Sequence, residues 1–190
     1  MARWTTTAGP GGQTSHVNPE SRHALNPGEW AVLGVLAEGP THGFAVAQLL
    51  GPEGALGHIW TLPRPVVYQV IKKLLQLGLI SERRTEAGTR GPVRTVVGLT
   101  PGGRAAIKQW LKEPVDHVRD VRSMLLLKLA LLDRAGADPT PLVAAQRARL
   151  VGQLEMLVAD RDRAGGFDRV VLDWRIASST ATIEFLRRYR

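Results

Sequence analysis

Tyr68, Gln69, Lys72, Lys73 and Gln76 follow one another at offsets of one, three, one and three residues. At about 100° per residue these side chains share one side of a helix, and Val67, Val70, Ile71 and Leu74 share the other. None of the five is acidic. The Gln69 amide offers a donor beside an acceptor, the pattern that pairs with an adenine edge, and the Lys72 and Lys73 ammonium groups can reach guanine acceptors or phosphate oxygens. The Tyr68 hydroxyl can donate to a phosphate, or its ring can pack against the first helix. Flanking residues add further cationic and polar groups. Arg64 opens the same helix, Arg90 and Arg94 follow it, and Thr41-His42 precede it at a predicted helix start, where free backbone N–H groups favour an anion. The expected chemistry is recognition of a polyanion.

The charge distribution agrees. The 190 residues carry a formal charge of +8. From Met1 to Lys112 there are 12 Lys/Arg against 6 Asp/Glu, and from Glu113 to Arg190 there are 13 against 11. Between Arg64 and Lys112 the ratio is 10 to 2. A basic module joined to a nearly balanced one fits duplex DNA as partner of the first.

The elements that must hold these side chains can be read along the chain. Residues 1–24, rich in Thr, Gly, Pro and Ser, are expected to form a flexible arm. Gly9-Pro10-Gly11-Gly12 resembles a phosphate loop only faintly, since it lacks the lysine. A first helix opens with Asn26 as cap, Pro27 in the first turn and Glu29 three residues after the cap. Gly39-Pro40 ends it. Thr41 is expected to cap a short second helix, His42 to about Leu50, with Phe44, Ala47 and Leu50 inward. A Gly-rich loop spans Gly51 to Leu62. The third helix runs from about Arg64 to Leu77, where Gly78 stops it. Leu79–Thr85 reads as a strand, Glu86–Pro92 as a turn, and Val93–Leu99 as a second strand with Val93, Thr95 and Val97 alternating. A fourth helix follows, capped by Thr100, with Ile107, Trp110 and Leu111 on its apolar side.

This order predicts a mainly α, α+β winged helix-turn-helix domain over residues 25–112, followed by a C-terminal helical dimerisation region over 113–190. Three helices are expected there, at about Arg119–Ala135, Pro141–Ala164 and Phe167–Tyr189. The stripe from Val121 through Met124, Leu125, Leu127, Leu129 and Leu131 is too broad for one exposed face, and so is that of the last helix. The first stripe suits burial between the DNA-binding domain and a partner subunit; the three helices form a core either alone or with a second chain, and the second is favoured, hence a homodimer and a near-palindromic DNA site. Trp110 and Trp174 are the candidate lining of a pocket for a small-molecule effector, because a flat aromatic ligand could stack on either; packing in the core is the alternative.

Other classes fit poorly. His117 lies near Asp116, Asp120 and Ser123 in sequence, but at a Pro-punctuated linker without a glycine-lined oxyanion hole, so an enzyme is not expected. The five histidines show no metal-ligand spacing, and neither metal nor cofactor is expected. The absence of cysteine and of an apolar leader predicts a cytoplasmic protein with no membrane partner. A winged helix serving only as a protein-interaction scaffold should present an acidic or apolar third helix.

Several runs resemble the PadR family of transcriptional regulators. They are Trp30–Leu36, Gly39-Pro40-Thr41-His42-Gly43-Phe44, Val67-Tyr68-Gln69-Val70, Gly78-Leu79-Ile80, Arg90-Gly91-Pro92-Val93-Arg94 and Leu99-Thr100-Pro101-Gly102-Gly103-Arg104. Their order and spacing hold from about Gly28 to Leu111, and they argue against a MarR-like regulator. The resemblance implies a homodimer with an N-terminal winged helix that meets DNA through Tyr68, Gln69 and Lys72. It further implies a repressor whose affinity falls when a small aromatic or hydrophobic compound binds.

Overall fold

The computed structural model describes residues 25–88 and 91–189. The expected arm over 1–24 and its glycine-rich stretch lie outside the described residues, as do Thr89 and Arg90.

Helix α1 (Pro27–Ala37) starts as its residues require. The Asn26 side chain accepts from the Glu29 N–H at 3.0 Å, and the Glu29 carboxylate accepts from the Asn26 N–H at 3.0 Å and its Nδ2 at 2.8 Å. This capping box satisfies amides that the first turn leaves open. Residues Ala31 to Leu36 are all buried, so α1 is an interior helix rather than an amphipathic one.

Thr41-His42 differ from expectation. They form strand β1, with Thr41 opposite Val97 and His42 opposite Val96. Helix α2 (Gly43–Leu49) therefore starts later, and its cap is His42, not Thr41. The inward set differs too: Val46 and Leu50 are fully buried, while Phe44 is half-exposed. The stretch to Leu62 winds into turns that bury Leu56 and Leu62.

Helix α3 (Arg64–Gln76) ends at Leu77, with Gly78 at φ +66° reversing the chain. It buries Val67, Val70, Ile71 and Leu74, as expected. Strands β2 (Ile80–Gly88) and β3 (Gly91–Leu99) run antiparallel and complete a sheet of order β1-β3-β2. Most of the expected turn over Glu86–Pro92 is thus strand. The inner end of β3 buries Val96, Val97 and Leu99, whereas Val93 is 67% exposed, so the expected alternation fails where the hairpin leaves the core. Helix α4 (Pro101–Trp110) is capped by the Thr100 hydroxyl, which accepts from the Gly103 N–H, and it buries Ile107 and Trp110.

A 3-10 turn (Val118–Asp120) and a π-helical turn (Val121–Leu125) lead into α5 (Leu126–Arg134). The broad stripe of this segment is explained within one chain. Leu127 and Leu131 join the core of α1–α4, while Val121, Leu125 and Leu129 join a second core with Leu142, Val143 and Leu150 of α6 (Thr140–Arg163) and Ile183 and Leu186 of α7 (Gly166–Arg188). Gly34 makes room for Leu131, because a Cβ there would overlap the leucine methyls. Full burial of such a leucine contributes about 2–3 kcal/mol. Arg134 closes the same contact with a forked ion pair to Glu38, at 2.5 and 2.6 Å.

The linker between α4 and the 3-10 turn is held from two sides. The buried Gln146 amide accepts from the Val115 N–H at 2.7 Å and donates to the Val115 carbonyl at 3.1 Å. Gln153 donates to the Asp116 carbonyl at 2.9 Å, and Arg149 pairs with the Asp116 carboxylate. From α5, the buried Lys128 donates to the Glu113 carbonyl at 2.5 Å and lies 4.6 Å from the Trp110 ring centroid. Burial lowers its pKa to about 8, against the opposing pull of Glu113 and Asp116.

Helices α6 and α7 are joined by a short break, so they lie antiparallel. Their contact near α5 is a core. Toward the break, Met156, Phe167, Val170 and Trp174 are 56–78% exposed.

Candidate nucleic-acid interface

Tyr68, Gln69, Lys72 and Gln76 all reach solvent from α3, on the side opposite its buried stripe. Tyr68 is held at its base. A Cβ on Gly43 would lie 2.8 Å from the Tyr68 Cε1, so glycine after His42 lets the ring lie against the start of α2. The packing alternative for Tyr68 is therefore realised in part, against α2 rather than α1, with 45% of the residue still exposed.

Lys73 stands apart from this face. Its ammonium donates to the Glu29 carboxylate at 2.6 Å, and Glu29 is 2% exposed. Three donors thus surround one buried carboxylate: the Asn26 N–H, the Asn26 Nδ2 and the Lys73 Nζ. The pair ties α3 to the first turn of α1.

The basic residues of the hairpin sort in the same way. Arg83, the extra residue at a bulge between Glu82 and Arg84, donates to the Leu99 carbonyl at 2.5 Å. Arg84 pairs with Glu86 at 2.7 Å. Arg64 and Arg94 instead lie over the Phe44 ring at the start of α2: their guanidinium carbons sit 5.0 and 5.3 Å from its centroid, and Arg64 also 5.9 Å from that of Tyr68. Such cation–π contacts stabilise by about 0.5–1 kcal/mol at exposed sites and aim the cations without neutralising them. Among the described residues no carboxylate pairs with Arg64, Lys72 or Arg94.

The expected anion site at the start of α2 changes character. The His42 Nδ1 accepts from the Ala45 N–H at 3.0 Å, so that amide is already satisfied, and Thr41 belongs to the sheet. The other ring nitrogen faces Arg94 Nη1 at 3.3 Å. Sequence reasoning missed both roles, as well as the Phe44 platform and the Glu29–Lys73 pair, since each depends on strand pairing or on residues distant in the chain. Arg90 lies outside the described residues.

The two candidate effector residues occupy different places. Trp110 is 5% exposed and stacks on Trp30, with ring centroids 4.9 Å apart and planes 9° from parallel, while Lys128 also lies over its ring. Its π surface is occupied by the core. Trp174 is 64% exposed and lines a cleft of about 630 Å³ between the linker and α6–α7, with His117, Arg119, Met156, Val171 and Arg175. Among the described residues no group of three metal-binding side chains converges, and no helix is long and apolar enough to cross a membrane.

The chain is similar to known transcriptional regulators. The family model described as "Transcriptional regulator PadR-like family" matches residues 32–109. The negative transcriptional regulator PadR of Bacillus subtilis (strain 168) is 27% identical over 142 residues, spanning 70% of this chain and 76% of its own length. Among solved structures, Bacillus subtilis PadR in complex with operator DNA is 20% identical, with 84% of this chain and 94% of that chain covered at a TM-score of 0.44. The same protein in complex with p-coumaric acid is 19% identical, with 85% and 95% covered at a TM-score of 0.41. The winged-helix segment, residues 32–109, is thus similar to the PadR-like family of transcriptional regulators.

Proposed function

We propose that the chain is a homodimeric, sequence-specific DNA-binding repressor. The observation that carries this reading is the solvent face of α3, where Tyr68, Gln69, Lys72 and Gln76 are exposed, Lys72 forms no ion pair among the described residues, and two aimed arginines flank the helix. A helix of this kind fits the major groove, with Gln69 and Lys72 at base edges. Arg64 and Arg94 serve the DNA backbone beside that helix, Thr41 and His42 approach the backbone from β1, and Arg90 serves at the wing. Lys73 contributes through the placement of α3. Repression is the role named for the Bacillus subtilis relative. The site of action is the cytoplasm.

Residues 113–190 act as the dimerisation region. Met156, Phe167, Val170 and Trp174 form an apolar surface on the far half of the α6–α7 hairpin, of the kind a second copy covers. A small aromatic or hydrophobic effector fits the cleft at Trp174, whose wall includes the linker residues Asp116 to Arg119. Occupation there would move the linker that carries the winged half.

Selection of bound fragments from random duplex DNA with the purified full chain tests the reading. Enrichment of a near-palindrome with half-sites about one turn (~34 Å) apart is expected. No enrichment over non-specific DNA would overturn it.

A further inference from the structure

We propose that His42 and Arg94, with Arg64 across the Phe44 ring, form a clamp for one backbone phosphate of the duplex. The inference rests on the DNA-binding reading and assigns one phosphate to a definite set of atoms.

The argument starts from hydrogen bookkeeping on the His42 ring. Nδ1 accepts from the Ala45 N–H and so carries no hydrogen. In a neutral imidazole the hydrogen must then sit on Nε2, which becomes a donor. Nε2 faces Arg94 Nη1 at 3.3 Å, and a guanidinium nitrogen can only donate. Two donors confront each other with no acceptor between them. An oxygen that accepts from both removes the conflict, and an anionic oxygen does so best beside a guanidinium.

The fold imposes this confrontation. His42 pairs with Val96 across the β1–β3 ladder. Arg94 lies two residues from Val96 on the same face of β3, diagonal to His42. Phe44, the second residue of α2, holds Arg94 on its ring and holds Arg64 on the same ring from α3. These four residues, with Tyr68 and Glu82, line a cleft of about 420 Å³ between α2, α3 and the hairpin. Glu82 forms no ion pair with either arginine. Tyr68 joins the cleft to the solvent face of α3, so an anion held here lies beside whatever that helix reads. A duplex phosphate meets this placement, with its two unesterified oxygens available to the His42–Arg94 pair and to Arg64.

The variant His42→Asn separates the two functions of the ring, because asparagine is a good helix cap yet has no donor at the Nε2 position. It should keep the melting temperature and lose about tenfold in affinity, equally for the selected duplex and for unrelated DNA. Arg94→Gln should lower the slope of log K against log salt by about one. In a scan of the selected duplex with single neutral methylphosphonates, one position per half-site should weaken the wild-type chain. The same position should leave the combined His42→Asn, Arg94→Gln variant unaffected. Nitrogen-15 spectra of the free chain should place the His42 hydrogen on Nε2. A hydrogen on Nδ1, or a scan in which every position affects both chains alike, overturns the clamp while the DNA reading stands. Failure of the wild-type chain to select any duplex overturns that reading and the clamp with it.

Discussion

Replacing Lys73 by Met keeps the stem and removes the ammonium. Glu29, 2% exposed, would retain the two Asn26 donors at 3.0 and 2.8 Å and lose its only cationic partner among the described residues. A hydrogen bond to a charged group contributes about 1.5–3 kcal/mol, and stranding a fully buried charge costs about 3–5 kcal/mol. The Lys73 side chain is 44% exposed, so water already screens the pair and the lower part of that range applies. The expected loss is about 2 kcal/mol, or roughly 4–8 °C in melting temperature for a chain of this size. Lys72→Met, at an exposed position with no ion-pair partner, should stay within about 0.5 kcal/mol of wild type. DNA titrations across a salt series should show the reverse ranking. Lys72→Met should lower the slope by about one phosphate contact, and Lys73→Met by clearly less. Adding Glu29→Gln to Lys73→Met should recover most of the lost stability, since the stranded charge is gone. A Lys73→Met chain that melts with wild type and loses a full phosphate contact would refute the assignment of Lys73 as a positioning residue.

Three further outcomes follow from other contacts. Gly43→Ala places a Cβ 2.8 Å from the Tyr68 ring and 3.1 Å from Ile71 Cδ1. The half-exposed tyrosine should yield at a cost of about 1 kcal/mol, and affinity for the selected duplex should fall; unchanged affinity would remove Tyr68 from the interface. Lys128 loses its proton at about pH 8 in the folded chain but only near its ordinary value of 10.5 when unfolded. The unfolded chain therefore binds more protons between those values, so this group makes stability rise with pH through that window, by on the order of 3 kcal/mol, and adds nothing further below it. Urea melts at pH 7.5 and 10 should show the rise in wild type and its absence in Lys128→Met. Gln146→Leu strands the buried Val115 N–H and carbonyl, which should cost roughly 2–4 kcal/mol in a urea melt; a loss below about 1 kcal/mol would show the linker is held by other contacts.

Local chemistry was legible in the sequence. The Asn26–Glu29 capping box needs only four consecutive residues, and the Val67, Val70, Ile71, Leu74 stripe needs only one helix. What escaped depends on tertiary pairing. Thr41-His42 looked like a helix start because their partners, Val96 and Val97, arrive much later in the chain. Lys73 looked like one more cation on a basic face because Glu29 lies 44 residues away. The hairpin looked short because Gly88, Gly91 and charged Glu86 are poor strand residues, yet ladder bonds carry the pairing to Gly88–Gly91. The stripe around Leu127 announced burial correctly, but not that one chain provides both sides of it.

The fit of Leu131 against Gly34 and of Arg134 against Glu38 bears on how such readers can be recombined. Helix α5 is sequentially part of the C-terminal half but is seated in the winged half. A chimera that transplants only residues up to Lys112 onto a foreign dimeriser would leave an apolar notch on α1 open to water, and the graft would be prone to aggregate. A portable reader from this chain should extend through Arg134, and its new partner would have to cover Val121, Leu125 and Leu129, which here pack against α6 and α7.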